Sequence, residues 1–432
     1  MKRLTLLAVA LVMVLGMAVS ASAAPEVSIS GNLLINAIWK GNWDFDKNAG
    51  EKATEIRQRA DLYFTVTANE NLKGVLGFRS VKANWGQAGW ELDGAGGGKT
   101  NTIDIRDAYI DFNWPGTDVN VKAGLYTVAL PASVGGASMI LGERAGAVMV
   151  SAPMTDNVSV LAGYTRLFDL DDNEDSAAAL DNSYLDGYLV ALPLNFEGFA
   201  ATPFFLYGNG GKNFPESGED VSAYWLGSNF TMSILDPFIV KADINYGNLD
   251  ADTDALDASG WLFDLGLDYT GFDFMTVSTY FAYSTGRDDD ASNGSEAMPI
   301  LNSDWAVGSF FFGGGSITSD DINGGDVEAG FWTIGASLLD IQSFAEGLTH
   351  TVHVLYAKGT NDKKAPGLTY GKGLTEDDSL WEVDFNTDYK IYDELTLYTQ
   401  LGYINSDFDK DVWGDDVKND AWKVATGVVY KF

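Results

Sequence analysis

The sequence predicts an all-β fold: a transmembrane antiparallel up-and-down β-barrel of 16–18 strands, with 18 strand signals counted between Glu26 and Phe432. Three observations carry this. Apolar and polar residues alternate along nearly every segment, with the period of two that a strand imposes. The connections between segments alternate strictly between short turns and long loops. The last segment, "AWKVATGVVYKF", sets Trp422, Val424, Thr426, Val428, Tyr430 and Phe432 on one face and stops there, without a polar tail.

The chain begins with a different kind of segment. Lys2 and Arg3 precede an apolar run from Leu4 to Val19, followed by Ala21-Ser22-Ala23. This reads as a signal peptide over residues 1–23, which leaves a barrel domain over 24–432. No later segment approaches the roughly 18 consecutive apolar residues of a spanning helix. With no cysteine, an exported chain must be held together by its own fold. A hydrophobic content of 46% and aromatic content of 13% argue against disorder. The net charge of −34 and pI near 4.1 argue against nucleic acid as a partner.

In the mature chain, "EVSISGNLLINAIW" puts Val27, Ile29, Leu33, Ile35, Ala37 and Trp39 on one face. "EIRQRADLYFTVTA" sets Ile56, Ala60, Leu62, Phe64 and Val66 against Arg57, Arg59, Asp61, Tyr63 and Thr65. "RDAYIDFNW" sets Ala108, Ile110, Phe112 and Trp114 against Asp107, Tyr109, Asp111 and Asn113. The pattern continues through "SVLAGYTR", "VSAYWLGSNF", "WLFDLGLDY" and "WEVDFNTDY" to the end. Short turns fall at "ANEN", "PGTD", "PMTDN", "LNFEG", "LDP", "TGFD" and "KIYDE"; the connection near Leu339–Leu348 occupies a short slot. Long loops fall near 40–54, 84–101, 128–144, 167–182, 209–220, 248–259, 285–329, 358–379 and 405–419. Turns on one side and loops on the other are the rhythm of a closed barrel. Closure satisfies every backbone polar group inside lipid, which an open sheet cannot do.

Charged residues within these strands belong on the lumen side, because a cation at mid-depth on the lipid side costs about 2–4 kcal/mol. Arg57, Arg59, Arg79 and Lys122 then form a basic stripe on the inner wall. Such a stripe either sets the field of an aqueous pore or pairs with Asp61, Asp107 and Asp111 beside it. The loop 128–144 is apolar and glycine-rich, with Glu143 and Arg144 its charged residues. An apolar loop left in water would mark an interface, so it either tucks against the inner wall or meets a neighbouring subunit. On the first reading Glu143 and Arg144 face the basic stripe across the narrowest point. The loops at 167–182, 248–259, 285–329 and 405–420 are strongly acidic and read as a negative vestibule. Asp250, Asp252 and Asp254 are weak candidates for Ca²⁺ or Mg²⁺, since Ala255 and Trp261 occupy positions where an EF-hand needs Gly and Glu. No metal or other cofactor is expected.

Enzyme chemistry finds little support. His350 and His353 are the only histidines, and a spacing of three places them on opposite faces of a strand. No H-E-x-x-H, P-loop or G-x-S-x-G motif is present.

The segments "APEVSISGNLLINA", "YIDFNWPG", "VKAGLYTVALP" and "GVVYKF" resemble the outer-membrane homotrimeric porins of sulfate-reducing bacteria, and more broadly a trimeric general-diffusion porin. The resemblance implies a homotrimer in the lipids of a Gram-negative outer membrane. It also implies one water-filled channel per subunit, a third loop folded into each barrel, and passive diffusion of ions and small hydrophilic solutes. The terminal Tyr430 and Phe432 resemble the signal read by barrel-assembly machinery. General porins of this kind have 16 strands, so the count of 18 means a wider barrel or two loop hairpins. The alternative function is a surface adhesin or surface-layer anchoring barrel with little conductance.

Overall fold

The computed structural model describes residues 25–47, 52–80, 83–85, 103–169, 183–214, 220–290, 292, 294–302, 304–314, 322 and 328–432. The leader at 1–23 and the acidic stretch 170–182 lie outside the described residues.

Among the described residues the chain forms one closed antiparallel barrel of 18 strands, each paired with the next along the chain. The first wall runs through β1 (Glu26–Gly41), β2 (Lys52–Asn69), β3 (Leu72–Ser80), β4 (Ile103–Asn113), β5 (Asn120–Ala129) and β6 (Gly142–Thr155). Next come β7 (Val158–Asp169), β8 (Tyr184–Ala191), β9 (Phe199–Gly210), β10 (Val221–Leu235), β11 (Phe238–Ala251) and β12 (Ala258–Phe272). The circuit ends with β13 (Met275–Ser284), β14 (Phe331–Gln342), β15 (Leu348–Gly359), β16 (Ser379–Tyr392), β17 (Leu395–Asp407) and β18 (Asp420–Lys431). Two short pieces, Ala83–Asn84 and Leu194–Phe196, continue β3 and β8 after local breaks and add no strand to the circuit. The barrel is therefore the wider one, and no strand is a loop hairpin.

Closure is made by β18 against β1, in register from Asn32↔Lys431 to Gly41↔Trp422. The ladder runs on to the last residue: Gly31 N donates to Phe432 O at 2.9 Å and Phe432 N to Gly31 O at 3.1 Å. Gly31 and Phe432 thus form a rung of the seam. Gly31 is required there, since an added Cβ would lie 2.3 Å from Asp61 O and 3.0 Å from the Phe432 ring.

The outer face is apolar, as the alternation dictates. Ile29, Leu33, Ile56, Leu76, Ile110 and Val148 are exposed, while Arg57 and Asp61 on the other face are buried. A belt of rings circles the loop side on the outward face, through Tyr164–Tyr188, Tyr224–Tyr246, Tyr246–Trp261 and Tyr356–Trp381. A second belt on the turn side includes Phe238–Tyr269, Phe272–Phe274 and Tyr430–Phe432. Aromatic girdles at two levels are where a membrane's two interfaces would lie. His350 stacks on outward Phe385, whereas His353 meets inward Ser337 at 2.7 Å. The two histidines therefore do lie on opposite faces.

Among the described residues one hairpin parts from its neighbour in the wall. Pairing between β4 and β5 stops at Ala108↔Leu125, but β5 and β6 stay paired up to Ala129↔Gly142. The top of the β5–β6 hairpin thus departs from the wall. The departure point is Gly124, at φ +134, where a Cβ would lie 2.2 Å from Ala108 O and 2.6 Å from Tyr109 Cα.

If the β1–β18 seam is what closes the barrel, Gly31→Val should weaken it by about 1–3 kcal/mol, the usual cost of forcing bulk into a packed position. The expected readout is a smaller fraction of folded, heat-modifiable protein on unheated SDS gels. An unchanged fraction would show that the Gly31–Phe432 rung contributes nothing to closure.

Candidate functional site: the barrel lumen

The inner wall from β2 to β6 gathers the cations of the predicted stripe. Arg57 is buried, 3.4 Å from Glu55. Asp61, on the same strand, is 3% exposed and is the hub of the group. It accepts two hydrogen bonds from Arg79, with Nη2 at 2.9 Å and Nε closer still, and one from Asn32 Nδ2 at 3.3 Å. Arg59 Nε stands 3.7 Å away. Lys122 lies between two rings, its Nζ 4.2 Å from the centroid of Tyr109 and 4.0 Å from that of Tyr126. Lys73 takes Asp111 at 3.1 Å. These cations lie on the inner wall, and most are tied to wall carboxylates.

Arg144 joins this stripe, 3.8 Å from Asp107. Strand alternation alone would turn it outward, on the same face as exposed Val148 and Val150. Because the hairpin has left the wall at Gly124, that face looks back at the inner side of β4. Glu143 faces the other way. Its Oε1 accepts from Arg144 N at 2.6 Å and its Oε2 accepts from Asn302 Nδ2 at 2.5 Å. The structure places Arg144 within the basic stripe and Glu143 against a second loop.

The third outer loop (130–141) crosses the lumen to the far wall. Ser133 N donates to Asp243 Oδ1 at 2.8 Å and Oδ2 at 3.0 Å, and Val134 N to Oδ2 at 2.9 Å. Ser133 Oγ bridges Thr231 Oγ1 at 3.1 Å and Asn229 Nδ2 at 3.0 Å. Of the two placements the sequence left open for this loop, the structure has it tucked against the inner wall.

The seventh outer loop (285–330), read from the sequence as part of an acidic vestibule, also carries an apolar middle stretch. Its middle folds into the barrel, with Trp305, Phe310, Phe311 and Phe312 at most 1% exposed. It is joined to the third loop by Leu301 N to Ile140 O at 2.9 Å, Gly142 N to Asn302 O at 2.9 Å and Ala306 N to Gly135 O at 3.0 Å. Gly135, at φ +71, lies under the Trp305 indole where a Cβ would be 2.3 Å from Nε1. Burial, with the nearby Glu143 charge adding to it, holds the Asp304 carboxyl above its usual range, against a smaller opposite pull from Arg144.

The far end of this loop is gripped by β16. Ser309 N donates to Asp384 Oδ2 at 2.7 Å, Phe310 N to Glu382 Oε1 at 3.1 Å and Phe311 N to Glu382 Oε2 at 2.7 Å. Lys423 Nζ donates to Ser309 O. Glu382, Asp384 and Lys423 are at most 1% exposed. None of these three was singled out from the sequence, nor was Asp243. The available signal was an inward charge on each strand, together with a stretch from Ala297 to Gly314 as apolar and glycine-rich as the third loop.

Asp250, Asp252 and Asp254 are not drawn together as ligands. Asp250 ends β11 on the outward face, and Asp254 lies in a short 3-10 turn. Among the described residues no group of three or more His, Cys, Asp or Glu is placed to hold a metal.

No protein-family model matches the chain, and no curated protein matches it. Solved structures do. Acinetobacter baumannii OccAB4 aligns with a TM-score of 0.57 at 11% identity, over 94% of this chain and 98% of that one. Pseudomonas aeruginosa OccK8 (OprE) aligns at 0.56 and 15%, over 94% and 98%. The outer membrane protein OprD from Pseudomonas aeruginosa aligns at 0.53 and 15%, over 94% of each. At these identities the likeness is one of fold.

Glu382→Ala removes an acceptor of the Ser309, Phe310 and Phe311 N–H groups inside the buried cluster of Glu382, Asp384 and Lys423. Breaking one side of a buried charged cluster costs about 3–5 kcal/mol. The expected result is a lower thermal midpoint and new protease cleavage between residues 297 and 314. Glu382→Gln, which keeps one acceptor oxygen, should be milder. Equal behaviour of both variants and wild type would remove Glu382 as the anchor.

Proposed function

We propose that the chain is a passive channel of a Gram-negative outer membrane, through which ions and small hydrophilic solutes diffuse. The observation that carries this is a closed barrel whose lumen is narrowed from one side by two inward-folded loops and faced on the other by a wall of fixed charge. In such a lumen the third and seventh loops limit size, and Arg57, Arg59, Arg79, Lys122 and Arg144 set the local field against the acidic outer loops. No chemical step is needed. The rival reading, an adhesin or anchoring barrel, gains from the apolar packing of the seventh loop and predicts little conductance.

Planar-bilayer recording separates the two. The proposal expects stable single-channel steps, and replacing Arg57, Arg59 and Arg79 together with Gln should raise cation preference. The change should be largest near 0.01 M salt, where the Debye length is about 30 Å, and small near 1 M, where it is about 3 Å. Conductance should hold or grow, since Gln is smaller. An unmoved reversal potential in a folded triple variant would assign these arginines to wall pairing alone. Absence of steps in the wild type would favour the anchoring barrel.

The same proposal includes export by the leader ending at Ala23, assembly as a homotrimer among outer-membrane lipids, and recognition of Tyr430 and Phe432 by barrel-assembly machinery. Deleting Phe432 removes two ladder hydrogen bonds, worth only about 1–3 kcal/mol together. A large loss of outer-membrane protein would therefore reflect failed recognition rather than lost stability. The expectation is an SDS-resistant trimer band in wild type that collapses on boiling and is nearly absent in the deletion. Normal amounts in the deletion, or a monomer mass by light scattering, would remove the respective part.

A further inference from the structure

On the outward face of β8 to β11, three cross-strand rows lie one above another. Val190, Phe205 and Leu226 pair directly along the lowest row, Tyr188, Tyr207 and Tyr224 along the next, and Asn209, Ser222 and Asp250 along the highest. The apolar and tyrosine rows are exposed, while Leu189, Leu206 and Trp225, which alternate with them, are buried on the other face. From the middle of the wall toward the loops, this surface therefore grades from apolar to aromatic to polar. The tyrosine row belongs to the loop-side girdle, the level of a membrane interface.

Above the tyrosines the surface is concave. A cavity of about 560 Å³ is lined by the top row and by Tyr184, Lys212, Asp220 and Asp252. The lining comes from outward-facing strand ends and the adjoining loops, so the cavity lies off the lumen. Among the described residues, Asn209, Ser222 and Asp250 have no side-chain hydrogen bond, and Lys212 pairs with none of the three carboxylates. Anionic headgroups are gathered by basic pockets. Here three carboxylates stand against one lysine, and a phosphate would be repelled. Carboxylate and amide oxygens without partners call instead for hydroxyl donors, several of them at once.

We propose that the cavity holds the sugar headgroup of an outer-leaflet glycolipid. Its hydroxyls donate to Asp220, Asp250 and Asp252 and to the Asn209 amide oxygen, and its apolar chains run down over Tyr207, Phe205 and Leu226. The rows below the cavity decide for a lipid over a free saccharide, since a soluble sugar has nothing to lay on them. The inference rests on the barrel lying in a membrane at its girdles and not on conduction, so it fails separately from the channel reading.

The test holds full-length protein in a sugar-free detergent and measures retained lipid per chain by native mass spectrometry. The probes are monoglucosyl diacylglycerol, phosphatidylglycerol and methyl glucoside. The expected outcome is one glucosyl lipid per chain, not displaced by an equal concentration of either of the others. Asn209→Ala with Asp250→Ala should weaken retention at least about tenfold, because an amide acceptor and a charged acceptor are lost together. Asp250→Asn, which keeps the shape, should weaken it less but measurably. Heat-modifiability on unheated gels shows that each variant is folded. Asp407→Ala, exposed at the loop end of β17, should leave retention unchanged. Phosphatidylglycerol bound equally well would mark a nonspecific lipid surface and overturn the proposal. Displacement of the lipid by methyl glucoside would make the cavity a site for soluble saccharide and overturn it too. So would a wild type that retains no glucosyl lipid, or undiminished retention in both Asp250 variants.

Discussion

A loop that leaves water and enters a barrel carries its backbone N–H groups with it, and each must find an acceptor. Here the acceptors are wall carboxylates. Asp243 takes the tip of the third loop, and Glu382 with Asp384 takes the turn at Ser309–Phe311 of the seventh. In a buried interior few alternative acceptors compete for these N–H groups. The shape of the lumen follows from these clasps. The two loops meet at Ile140–Leu141 and Leu301–Asn302, and again where Ala306 N donates to Gly135 O. The aromatic packing of Trp305, Phe310 and Phe312 fills in behind them.

The opposite wall is organised by the same rule with the signs exchanged. Guanidinium groups cannot face lipid and cannot be buried unpaired, so they gather round Asp61 and Asp107. A cation tied to a carboxylate still presents its outer edge to the lumen, as Arg79 and Arg144 do at about a fifth exposed. On the proposed channel reading, selectivity depends on the excess of cations over their wall partners, set against the acidic loops. That balance explains how a chain with a net charge of −34 can line part of its interior with arginine.

The barrel was legible because its two faces differ. An apolar outer face and a polar inner face impress a period of two on every strand, and Ile56 against Arg57 or Leu76 against Arg79 shows it at a glance. Eighteen strands were countable because turns and loops alternate. Individual cations were legible for the same reason, since a charge on a strand has one permitted side. Arg144 was expected to face the stripe as a loop residue, whereas strand alternation alone would have turned it outward. Its hairpin bends away at Gly124, and after the bend the outward face points inward. The seventh loop was obscured by its own acidic flanks, which hid the apolar stretch around Trp305. Asp243, Glu382 and Asp384 were visible as inward charges, but what they hold depends on loops brought more than 70 residues along the chain.

The central claim is that both loops are fixed inside the barrel by carboxylate clasps. Hydrogen exchange at the backbone amides of residues 130–141 and 304–314, in the folded detergent-solubilised protein, reads this directly, because protection reports local opening rather than average position. The account predicts protection of Ser133, Val134, Phe310 and Phe311 comparable to that of the barrel strands. Exchange of these amides as fast as in an exposed outer loop would contradict it.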